Sequence, residues 1–179
     1  ALLDVPFTDR GEHSQTRNGQ LVRIGLQKSL FSSPAAAQVS VAQRIRKLEQ
    51  SRLGGGQPTA DEQTEIQALH SLSLALRTVD AAHFNKYQQL IQLLKSKDFG
   101  WSKTDTNDRL VIFSERIETL RWLQGQIKAD LKLKDDALQL LHGGLSDLEQ
   151  QAIVEAFGKP ESKLRVLLGY GILAQEDPE

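Results

Sequence analysis

Two short strings in the second half of the chain combine residue types suited to holding an anion. Ser114-Glu115-Arg116 and His142-Gly143-Gly144-Leu145-Ser146 each follow an apolar run and precede a segment with helical periodicity. The first N–H groups of a helix have no intrahelical partner, so a turn that opens a helix offers donors to a phosphate. His142 adds a ring nitrogen. Gly143 and Gly144 would permit an unusual backbone turn and a close approach of phosphate to the main chain. Each residue also has a plainer role: Ser114 suits the N-cap of the following helix, and His142 can hydrogen-bond its own turn.

Other chemistry-bearing residues are scattered. His13, His70 and His83 lack neighbouring carboxylates or a second histidine at helical spacing, so they make no metal site. Asp135-Asp136 sits among lysines and reads as a solvated turn. Trp101 and Trp122 have faces on which a base could stack, although Trp122 falls within an amphipathic pattern and reads as packing. With no cysteine, the chain has no disulfide framework, thiolate chemistry or cysteine zinc site, and it is compatible with a reducing cytoplasm.

The elements that position the two strings can be read from periodicity. Leu110 to Phe113 is an unbroken apolar run, as a parallel strand covered on both faces requires. Ile117, Leu120, Leu123 and Ile127 then recur at the spacing of one helical face. Ala137 to Leu141 is a second apolar run. Ser146 with Glu149 makes a capping box for a helix that Gly158 and Pro160 stop, and Leu164 to Leu168 predicts a third strand. Alternating strands and helices imply a parallel sheet flanked by helices, with ligands outside the carboxyl ends of its strands.

The strings VIFSERIETLRWL (111–123), LHGGLSDLEQQAIVEAF (141–157) and SKLRVLL (162–168), in that order, resemble the C-terminal helicase lobe of Swi/Snf-type ATPases. The bacterial branch of these superfamily-two helicase-like proteins is the nearest in pattern. GLQKSLFSSPAAA (25–37) is similar to a segment that bacterial members carry between their two lobes. The resemblance implies an α/β fold: a partial RecA-like parallel sheet (three-layer α/β/α) in residues 98–179, preceded by an α-helical hairpin unit serving as interlobe spacer in residues 1–97. It further implies a parent that couples hydrolysis of ATP, held with magnesium, to movement along duplex DNA. Ser114, Glu115, Arg116, His142, Gly143 and Gly144 would face the DNA backbone. Gln150 takes a place where the family more often has arginine, which weakens a charge-assisted phosphate contact there.

The 179 residues contain no Gly-rich loop ending in Gly-Lys-Ser/Thr and no Asp-Glu pair placed to hold magnesium. After Leu168 the run Gly169-Tyr170-Gly171-Ile172 departs from the family pattern. The expectation is a fragment of a motor protein with its first helicase lobe missing, inactive as an ATPase on its own, with no cofactor bound to it. DNA and the missing lobe are the expected partners. A non-enzymatic protein-interaction module is the alternative, favoured by an exposed apolar stripe along Ile66 to Leu94. No apolar run approaches the roughly 20 residues that span a bilayer, so no membrane partner and a cytoplasmic location are expected.

Charge is unevenly spread. Residues 1 to 53 hold 8 Lys/Arg against 4 Asp/Glu, whereas residues 98 to 179 hold 10 against 15. The α/β segment is thus acidic, and DNA binding by it must rest on local geometry rather than on a general field. In the first hundred residues, Ala1 to Gly19 reads as loop and Leu21 to Phe31 as a helix with Leu26 and Leu30 inward. Ser33-Pro34 starts a second helix through Val41, Ile45 and Leu48, which runs to a Gly54-Gly55-Gly56 loop. Thr59 and Glu62 cap a third helix, and Phe84 to Leu94 continues or restarts it. Two long antiparallel helices joined by the triglycine loop summarise this half.

Overall fold

A computed structural model describes residues 5–7, 15–53, 59–105 and 107–171. His13, the Gly54-Gly55-Gly56 loop and the tail from Ile172 lie outside the described residues. The chain forms two compact units, Ala1–Asp80 and Ala81–Glu179.

In the first unit α1 (Gln15–Ser32) and α2 (Pro34–Leu53) are separated by Ser33 alone, and α3 (Ala60–Arg77) follows. Ser33 acts as expected: its Oγ accepts the Ala36 N–H at 3.1 Å, and proline takes the first helical position, where no N–H is needed. Thr59 and Glu62 form the expected capping box. Gln38 donates to the Leu76 carbonyl and Arg44 to Glu65, so rising numbers on α2 meet falling numbers on α3 and the two helices are antiparallel. Leu26, Val41, Leu48, Leu69 and Leu76 make the core.

The loop expected over residues 1–19 is partly helix, since α1 begins at Gln15. Val5 and Phe7, within that expected loop, are buried in the same core. The Arg23 guanidinium reaches back to the Val5 carbonyl at 3.2 Å and stands 5.6 Å over the Phe7 ring. Gly19 makes this possible, because a Cβ there would collide with the Phe7 carbonyl.

The second unit contains α4 (Asn85–Lys95), β1 (Leu110–Ser114), α5 (Ile117–Asp130), β2 (Leu138–Leu141), α6 (Asp147–Gly158) and β3 (Val166–Tyr170). All three strands are parallel in the order β1-β3-β2. The path from β1 to β2 crosses the place of β3, and the path from β2 returns to it, so right-handed crossovers set α5 and α6 on opposite faces. The packing agrees. Leu110, Leu138, Val166 and Leu168 share one core with Tyr87, Ile91 and Leu94 of α4 and Leu120, Leu123 and Ile127 of α5. Ala152, Ile153 and Ala156 of α6 instead border Gln139, whose side chain points the other way. Helix α4, grouped by periodicity with the helical region ending at residue 97, therefore belongs to the core of the α/β unit.

Three expectations need correction. Strand β1 is not covered on both faces: it is an edge strand, and Val111 and Phe113 are 39% and 55% exposed, whereas central β3 is buried from Val166 to Gly169. The third strand runs from Val166 to Tyr170 rather than from Leu164 to Leu168, because its register pairs Leu110 with Val166 and Ser114 with Tyr170. Gly169 is accommodated in this strand, and the Phe113 ring occupies the space where its Cβ would be. Finally, Ser114 is not the N-cap of α5. That place is Arg116, whose side chain makes no capping bond, and Ser114 Oγ accepts the Arg116 N–H at 3.2 Å in the turn before it.

Both crossover helices end in identifiable devices. Arg109 donates to the Phe157 and Lys159 carbonyls, each at 2.7 Å, and closes the carboxyl end of α6 ahead of Pro160. Helix α5 ends with Lys132 at φ 51°, its N–H on the Ala129 carbonyl and the Leu133 N–H on the Lys128 carbonyl. Glycine is favoured at such a position, because a Cβ in the left-handed region costs about 1–2 kcal/mol. Lys132→Gly is therefore expected to stabilise the second unit by about 1 kcal/mol. A higher melting temperature checks this, and an unchanged or lower one would contradict it.

Candidate nucleic-acid interface

The strand register decides where the two strings lie. Ser114 stands beside Tyr170, and Leu141 beside Gly169, so the turns after β1 and β2 flank the end of β3 at one edge of the sheet. Strand spacing separates them by about 10 Å. Ser114, Glu115, Arg116, His142, Gly143, Gly144 and Gln150 are thereby brought to the carboxyl edge.

The second turn is tightly organised. The Leu145 N–H reaches the His142 carbonyl at 3.1 Å, closing a four-residue turn, and the Gly144 N–H donates to His142 Nδ1, also at 3.1 Å. With Nδ1 as acceptor, the neutral ring carries its proton on Nε2, which is left as a donor. Ser146 then caps α6. Its Oγ accepts the Glu149 N–H at 3.3 Å, while the Glu149 carboxylate accepts the Ser146 N–H at 2.8 Å and its hydroxyl at 2.7 Å. Gln150 does not extend outward. Its amide donates to the Leu145 carbonyl at 2.9 Å, bracing the turn from within the first turn of α6.

The two glycines correct the expectation of an unusual backbone. Neither has a φ in the left-handed region. At Gly144 a Cβ would lie 3.0 Å from His142 Nδ1, pressing on the hydrogen bond just described, but at Gly143 it would meet nothing within 4 Å. Neither backbone conformation nor packing requires glycine at 143. Its effect is to leave the main chain open at the sheet edge.

The electrostatics of this edge oppose a strong grip on phosphate. Glu115, Glu118, Asp147 and Glu149 are set against one guanidinium, Arg116. The Glu149 carboxyl is held below the usual carboxylate range, first by the Ser146 hydroxyl, then by the Ser146 N–H, with a smaller contribution from His142. A group with a depressed pKa adds stability above its unfolded value of about 4.3, which is lost as pH falls through the lower folded value. Ser146→Ala should move the Glu149 titration upward and reduce this acid-side dependence, the backbone N–H and His142 contributions remaining, besides costing the cap about 1 kcal/mol. Carboxyl NMR titration tests this, and an unmoved Glu149 would refute the assignment.

These residues do not fit ATP with magnesium. The start of α6, the natural place for a phosphate, is filled by the Glu149 carboxylate and flanked by Asp147. Among the described residues no group of three His, Asp or Glu side chains is placed to hold a metal. Trp122 is a packing residue: it meets Tyr87 and Phe84 edge-on, with ring centroids 4.9 and 5.7 Å away. Asp135 and Asp136 form a short solvated 3-10 turn with Lys128 and Lys163 nearby at 3.3 and 3.4 Å. Among the described residues no helix is long and apolar enough to cross a membrane. No family model, curated protein or solved structure matches the chain.

Proposed function

We propose that residues 81–179 are part of the second RecA-like lobe, a three-layer α/β/α unit, of a Swi/Snf-type DNA translocase, and that residues 1–80 are its helical spacer. The observation that carries this reading is the meeting of the two turn strings at the carboxyl edge of a parallel sheet. In this role Gly143 admits a duplex phosphate to the main chain, His142 offers its Nε2–H, and Gln150 braces the turn. The ATP and magnesium site belongs to another lobe, since the sequence has no phosphate-cradling loop. The chain alone therefore does not hydrolyse ATP, and duplex-stimulated hydrolysis by the purified chain would overturn that statement.

The acidic surroundings imply weak, salt-sensitive binding made through main-chain and ring donors. Gly143→Ala is the informative variant. Its methyl group has room in the fold, so stability should hold or rise by about 0.4–1 kcal/mol, while duplex binding at low salt falls several-fold. Fluorescence anisotropy with a labelled duplex across a salt series measures this. Absence of binding at low salt, or binding indifferent to Gly143→Ala, sinks the reading.

A second reading, a protein-interaction module without catalysis, is favoured by the exposed Val111 and Phe113 on the open side of edge strand β1. In the 66–94 region Leu69, Leu76, Ile91 and Leu94 are buried in the two cores, and Leu74 on α3 and Leu93 on α4 are the large apolar residues exposed there.

A further inference from the structure

At the amino end of the sheet, opposite the turns already discussed, a cleft of about 470 Å³ is lined by residues from three separate segments. Lys95 comes from the end of α4, Trp101 to Lys103 from the loop before β1, and Lys132 from just past the end of α5. The Lys103 ammonium is held at 3.0 Å by the Leu131 carbonyl. Among the described residues Lys95 and Lys132 have no ion-pair partner. The one carboxylate in the lining, Asp130, already accepts the Tyr87 hydroxyl.

Helix ends explain part of this. Lysines suit the carboxyl ends of α4 and α5, each equivalent to about half a negative charge. Three ammoniums against one carboxylate and two such ends still leave the cleft positive.

Two further observations have no such explanation. Trp101 Nε1 is buried with no hydrogen-bond partner, an unmet donor shielded behind the cleft wall. Lys132 occupies a left-handed position where glycine would be less strained. Strain of this kind is retained where the side chain it places has a use.

We propose that this cleft binds a phosphate group, as inorganic phosphate or a small phosphate monoester. Three ammonium-bearing side chains, Lys95, Lys103 and Lys132, line a cleft of small-molecule size. A phosphate, with three terminal oxygens, meets that number of donors better than a carboxylate with two. The Trp101 ring and Leu94 provide an apolar wall for the organic part of an ester.

The test follows the indole N–H resonance of Trp101 in the intact chain, assigned by its loss in Trp101→Phe, at constant ionic strength and a pH of about 8, where a monoester is dianionic. Inorganic phosphate and glycerol 3-phosphate should each shift it saturably, and acetate much less. Lys132→Gly should weaken phosphate binding about tenfold while raising the melting temperature, a split that a purely structural lysine would not produce. Lys95→Ala should weaken it similarly. An unmoved resonance, an equal response to acetate, a shift with duplex DNA but not with the small phosphates, or full affinity in Lys132→Gly would overturn the proposal.

Discussion

Replacing Arg44 by methionine should destabilise the helical unit by about 3–5 kcal/mol, whereas replacing Arg44 by methionine and Glu65 by leucine together should restore most of the loss. The two side chains are 8% and 0% exposed and meet twice, Nε to Oε1 at 2.6 Å and Nη2 to Oε2 at 3.0 Å. Their fork geometry satisfies both groups at once. Removing Arg44 takes the bidentate guanidinium partner from the buried Glu65 carboxylate between α2 and α3, far costlier than losing the pair to apolar side chains of similar size. Because the chain has two compact units, a single melting transition need not report the effect. Hydrogen exchange at the α3 amides does. A loss below about 1 kcal/mol in the single variant would show that water reaches this pair and relieves it.

Tyr87 should show the largest effect in the α/β unit. Its ring is 1% exposed, stands edge-on to Trp122, and its hydroxyl donates to Asp130 at 2.5 Å. Tyr87→Phe keeps the ring and releases the exposed Asp130 carboxylate to water, at a cost of about 0.5–1.5 kcal/mol. Tyr87→Ala also removes the ring from beside Ile91, Leu120 and Ile127, for about 3–5 kcal/mol. The hydroxyl pKa lies well above the usual tyrosine range, raised first by burial and then by the hydrogen bond and charge of Asp130. A raised pKa gives stability that is complete below the unfolded value of about 10 and lost as pH climbs past it. Wild type should therefore weaken on the alkaline side more steeply than Tyr87→Phe, as urea unfolding at several pH values would show. Parallel curves for the two proteins would refute the role given to the hydroxyl.

Both pairs were hidden in the sequence for the same reason. Arg44 and Glu65 are 21 residues apart, and Tyr87 and Asp130 are 43 apart, so neither spacing belongs to a helical or strand period. The phosphate cleft was hidden similarly, apart from one local signal: a lysine following Leu131 where a helix end favours glycine.

What the sequence determined by itself was local. Among the described residues apolar spacing located the three strands and most of the helices to within a few residues, α1 starting six residues ahead of its expected place, and the side chains of Ser33, Thr59 and Ser146 marked helix starts because a cap bonds within three residues of itself. It also marked both turn strings as residues that end strands. Tertiary structure decided the rest. Strand order β1-β3-β2 put the N-terminal strand at an edge, exposing Val111 and Phe113 although their run reads as buried on both faces. It moved β3 two residues along, since register answers to partners, and it drew α4 into the α/β core. It also brought Ser114 and His142 to a common edge through a strand that lies more than twenty residues beyond either of them. Periodicity reports which side of an element is apolar, whereas the neighbour that covers that side is set by long-range pairing, which a local pattern does not encode.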